Sequence, residues 1–101
     1  MSKLSEVFAE DRRLATLRTL GEAEGYRANE TVLRAVLDGF GHKVARDVLR
    51  ADLVWLEQHM LIRIEKIEAP SGEVWLAHLK EAGRAVAEGR FHPGVAKLEA
   101  G

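Results

Sequence analysis

The chain has 101 residues, a formal net charge of -1, 47% hydrophobic and 31% charged residues. One domain fits that length, and a chain of this size buries enough surface to fold without a disulfide or a structural metal. It contains no cysteine, which excludes disulfide frameworks, thiolate zinc sites and cysteine nucleophiles. The opening residues MSKLSEVFAEDRR carry charges where a signal peptide needs an apolar run, and no stretch approaches membrane-spanning length. The expected location is therefore the cytoplasm, without a membrane partner. With 15 basic against 16 acidic residues, any nucleic-acid role has to come from local placement of charge.

From Leu4 to about Glu22, apolar Leu4, Val7, Phe8, Leu14, Leu17 and Leu20 recur in steps of three and four. That spacing predicts an amphipathic helix with one buried stripe. Ser2 or Ser5 is its candidate cap, and the stretch Gly21–Gly25 ends it. Tyr26-Arg27-Ala28 crosses to a second helix, for which Asn29 is a good N-cap and Glu30 a good first-turn residue. Its apolar set is Val32, Leu33, Val36, Leu37 and Phe40, and Asp38-Gly39-Phe40-Gly41 stops it. A third helix is predicted from about Ala45 to His59, with Val48, Leu49, Leu53, Leu56 and Trp55 as the inward candidates.

The period then changes. Leu61–Ile67 alternates like a strand, Glu68-Ala69-Pro70-Ser71-Gly72 is turn chemistry, and Glu73–Leu79 is rich in β-formers. Together they predict a β-hairpin. Lys80–Glu88 returns to helical composition and Gly89 ends it, leaving an irregular or mobile tail from Arg90 to Gly101. The expected fold is mainly α with a β-hairpin (α+β), in the order α-α-α-β-β-α. A domain over residues 1–89 is followed by the tail at 90–101. Two helices joined by a tight glycine-containing turn, with a hairpin beyond, follow the winged helix-turn-helix plan.

Asp47 to Ile62, with Leu53, Leu56, Leu61 and Ile62 at its apolar positions, resembles the third helix and first wing strand of bacterial regulators of the ArsR and MarR type. His78-Leu79-Lys80-Glu81-Ala82-Gly83 looks like their Leu-Thr-x-x-Gly junction, with Lys80 in place of threonine. The whole chain, including His92-Pro93-Gly94-Val95, is most similar to small winged-helix proteins of Mu-like phages and prophages. The resemblance implies a winged helix that binds DNA. Ala45 stands where a serine cap is expected, leaving that helix start less well fixed by about 1 kcal/mol. Metal-sensing relatives of the ArsR type use cysteines or clustered histidines and carboxylates. His42, His59, His78 and His92 are scattered in sequence, so neither a metal nor another cofactor is expected.

Arg46 and Arg50 are four apart on the third helix, and Lys43 precedes them in the turn. With Asp47, this window carries a fixed charge of +2. If the arginines point outward, a bidentate contact to guanine contributes roughly 1–3 kcal/mol of discrimination. The competing reading is a solvated face with the arginines paired to Asp47 or nearby acids. Arg27, near the start of the second helix, and Arg34, along its exposed side, are candidate phosphate contacts, and Arg63 lies low on the wing with Lys66. The acidic wing tip, Glu68 to Glu73, opposes DNA and suits a protein surface. Trp55 and Trp75 read as packing residues. Asp11, Glu22 and Glu24 lack a nucleophile or a pocket, and Gly39-Phe40-Gly41 is no phosphate loop, so no enzyme is expected.

Three roles follow. The first is sequence-specific binding of double-stranded DNA by a homodimeric transcriptional regulator, with the third helix in the major groove. Its dimer would form through the first helix (Leu4, Val7, Phe8, Leu14, Leu17) and the last helix with its tail. The others are a phage DNA-packaging or DNA-transaction accessory, and a winged-helix module that docks a phage protein partner.

Overall fold

A computed structural model describes residues 3–98. Helix α1 (Lys3–Glu22) is followed by a 3-10 turn (Glu24–Tyr26), β1 (Arg27–Asn29), α2 (Glu30–Gly39) and α3 (Arg46–Gln58). Strands β2 (Ile62–Ala69) and β3 (Gly72–Leu79) and helix α4 (Glu81–Ala87) complete it. The fold is α+β and winged-helix-like, with four helices, an antiparallel sheet and a hairpin among the described residues.

The expected order lacked one element. Arg27-Ala28-Asn29, read as a crossing segment, is a strand that pairs antiparallel with β3, Arg27 opposite His78 and Asn29 opposite Leu76. The sheet order is therefore β1-β3-β2, with β2 and β1 as its edges. Asn29 still caps α2, its side chain accepting the Val32 N–H. The same residue thus ends a strand and begins a helix. Ser5 lies inside α1 rather than ahead of it, and Ser2 falls outside the described residues.

The core is mostly leucine. Leu14, Leu17 and Leu20 of α1 meet Leu33 and Leu37 of α2, Leu49, Leu53 and Leu56 of α3, and Leu61, Ile62, Ala77, Val86 and Val95. Each fully buried leucine contributes roughly 1.5–3 kcal/mol relative to an exposed one. The apolar stripe expected along α1 is only half buried. Leu4, Val7 and Phe8 are 64%, 51% and 50% exposed, whereas Leu14, Leu17 and Leu20 are buried. Likewise Val32, Phe40 and Val48 stand outside, and the buried faces of α2 and α3 narrow to the leucines.

Gly83 of α4 is buried, and a Cβ there would overlap the Leu61 carbonyl. That close approach lets Lys80 N–H donate to the same carbonyl (3.0 Å) and ties α4 to the start of β2. The tail has no helix or strand from 90 to 98, as its composition implied, yet it is not loose. Val95 is buried in the core and Ala96 N–H donates to Glu10 O (3.1 Å), so this segment packs with the domain.

Candidate nucleic-acid interface

Helix α3 follows α2 after a short turn that carries Lys43. Ala45 adopts the extended conformation of an N-cap and makes no side-chain cap bond. Lys43 and Arg46 are exposed, and neither side chain makes a hydrogen bond or ion pair with the described residues. Arg34 is turned toward them. Its Nε donates to Val44 O (3.2 Å), and it lines a shallow cavity of about 230 Å³ with Lys43, Asp38 and Val44. Arg34 therefore braces the turn between α2 and α3.

Arg50 corrects the expectation of two outward arginines. Its Nε and Nη2 reach the two carboxylate oxygens of Glu30 at 2.7 Å each, and Nη2 also donates to Glu73 O (3.0 Å). Its guanidinium lies 4.6 Å from the ring centroid of Trp75. Glu30 is 2% exposed and additionally accepts Trp75 N–H (2.8 Å). The hydrogen bond from Arg50 holds the Glu30 carboxyl below the usual carboxylate range, against the opposing effect of burial, and the Trp75 N–H adds to it. Glu30 in turn holds Arg50 above its ordinary value. The buried acid claims Arg50 because a carboxylate out of water needs a bidentate partner. Arg46, one turn earlier, makes no such bond among the described residues, although its charge also helps to hold Glu30 low.

Trp75 and Trp55 are half-buried, each beside cations. Lys66, opposite Trp75 in the hairpin register, has its Nζ 4.7 Å from that ring, so it is drawn onto the indole. Trp75 Nε1 donates to Glu73 Oε1 (2.7 Å). At the hairpin tip Glu68 stands opposite Glu73, which keeps it acidic as its sequence implied.

The structure moves Arg27 from the start of α2 to β1. It and Arg63 flank His78 in one cross-strand row, on the sheet edges, with His78 Nε2 2.8 Å from Glu65 Oε1. The six candidate residues thus divide into three settings. Lys43, Arg46 and Arg34 gather at the turn before α3, Arg27 and Arg63 share the outer face of the sheet, and Arg50 is half-buried and locked onto Glu30. Trp75, which helps to fix Arg50, was legible as a packing residue but not as a partner of Arg50. Glu30 was legible only as a first-turn acid.

Two further expectations shift. Leu14 and Leu17 belong to the core rather than to a dimer surface, and α4 lies against α1, with Ala87 close to Gly21. Asp11 is paired with His42 (2.7 Å) instead of with Glu22 or Glu24. Among the described residues, no three His, Asp or Glu side chains gather as metal ligands would, and no helix is long and apolar enough to cross a membrane.

No protein-family model matches the chain. It is 37% identical over 87 residues to uncharacterized protein gp26 of Escherichia phage Mu, covering 86% of this chain and 85% of that protein. It is also 44% identical over 63 residues to an uncharacterized protein of Haemophilus influenzae, covering 62% of this chain and 61% of that one. At that identity and coverage, the chain belongs to the family of phage Mu protein gp26.

Proposed function

We propose that the protein binds double-stranded DNA sequence-specifically, with the N-terminal end of α3 in the major groove, as a dimeric transcriptional regulator resembling the ArsR and MarR type. The observation that supports this reading is the exposed pair Lys43 and Arg46 at the start of α3, side chains without a hydrogen-bond or ion-pair partner among the described residues. Arg46 is the base-reading candidate, and Lys43 is the phosphate contact. Arg50 serves the site by shape rather than by touch, since its guanidinium fixes β3 to α2 and α3. The dimer would form through the exposed Leu4, Val7 and Phe8 of α1, bringing two copies of α3 to half-sites about one helical turn apart.

Titration of labelled duplex DNA at several salt concentrations tests the reading. Specific binding is expected, weakened roughly tenfold or more by Arg46→Ala. Failure of the folded protein to bind any duplex at about 50 mM salt overturns it. A second reading is favoured by the acidic hairpin tip and by Arg50 being already committed. In it the hairpin docks a phage protein, as an accessory to DNA packaging or another DNA transaction. Retention of duplex affinity by Arg46→Ala, with ring-like oligomers in light scattering, would favour this second role.

A further inference from the structure

We propose that residues 91–98 form a strap that is closed over Trp55 at neutral pH and released on acidification, when a proton on His59 puts a second cation beside Arg13 over one indole, with His92 of the strap against both rings. This inference does not depend on DNA binding.

The strap is held by few contacts. Arg13 Nη1 donates to Gly94 O (2.8 Å), Ala96 N–H donates to Glu10 O (3.1 Å), and Val95 enters the core. Gly94, at φ 87°, lies so close to Trp55 that a Cβ would overlap the ring, so the strap rests directly on the indole. Around it, His59 stacks on Trp55 with ring centroids 3.8 Å apart, and the Arg13 guanidinium carbon lies 4.0 Å from the indole centroid. His92 meets Trp55 edge-on at 5.8 Å and His59 at 5.2 Å.

The cluster unites α1, α3 and the strap, and among the described residues no acid is hydrogen-bonded to its cations. From α1 comes Arg13, whose Nε is buried without a partner, and Glu10, which offers a backbone carbonyl. On α3, Asp52 is taken by Arg12 and Glu57 by the Ile64 N–H. From the strap comes His92, whose Nδ1 lies 2.8 Å from Pro93 O. Protonating His59 therefore sets a second positive group beside the Arg13 guanidinium and against the His92 ring. Burial, then His92, then Arg13 already hold His59 below its usual value of 6.5. A histidine with a lowered folded value supports the closed state fully above the unfolded value, and that support is lost as pH falls toward the folded one.

Amide exchange of the full chain at about pH 7.5 and about pH 5 tests this, each rate corrected for intrinsic chemistry. Protection at Ala96 is expected to fall roughly tenfold or more at the lower pH, while Leu37 in α2 keeps its protection. The double variant His59→Gln/His92→Gln is expected to hold Ala96 protected at both values. Unchanged protection in the parent, an equal fall in the double variant, or a matching loss at Leu37 would overturn the proposal.

Discussion

Arg50 and Arg46 differ by one helical turn and by almost everything else. Arg46→Ala, at an exposed position, is expected to leave stability within about 0.5 kcal/mol of the parent in urea denaturation. Arg50→Ala strands the buried Glu30 carboxylate, and its loss should be several times larger. The pH profile separates the two further. Because Glu30 is held below the usual carboxylate range, its ion pair stabilises the fold above that range and fades as pH falls through the lowered value. Removing Arg50 should shift the acid limb of the stability curve to higher pH, and Arg46→Ala, which removes only the last and smallest of the effects that hold Glu30 low, should shift it far less.

At the scale of elements, what could be read in the sequence was whatever has a period or a cap of its own. The four helices, the Pro70-Ser71 turn and the Asn29 cap all stand within a residue or two of expectation. Strand β1 was not legible because three residues carry no alternation, and its partner His78 lies far along the chain. The lock on Arg50 was hidden for the same reason, since its partners at 30 and 73 are brought near only by tertiary packing. Of the candidate site, the exposure of Lys43 could be read from its place in a turn and that of Arg46 from the helical pattern, which misled at Arg50 because its acid comes from another element. Ala45 offers a direct test at this scale. Its backbone already has cap geometry, so Ala45→Ser is expected to raise stability by about 1 kcal/mol in thermal unfolding.

For the molecule as a whole, the net charge of -1 governs how DNA binding would respond to salt. Residues 1–29, 30–60, 61–79 and 80–101 carry net charges of 0, -1, -1 and +1, and the basic groups gathered before α3 are Lys43, Arg46 and Arg34. Neutralising so few phosphates predicts a slope of log K against log salt of about -2 to -4 per copy. A fluorescence-anisotropy series over several salt concentrations measures it, and a much steeper slope would mean that further cations join the contact.

Strand β2 forms one edge of the sheet, with nothing paired along its outer side among the described residues. Glu57 of α3 takes the Ile64 N–H (2.7 Å), and Arg63, Glu65, Lys66 and Glu68 crowd the strand with charge of both signs. An extended segment of another molecule would meet an occupied donor and charges it must desolvate before it could add to the sheet. The mixed charges along this hairpin guard its open edge against pairing with other chains. A neutral or hydrophobic hairpin, though a simpler wing, would leave so small a protein open to growing end on end into fibrils.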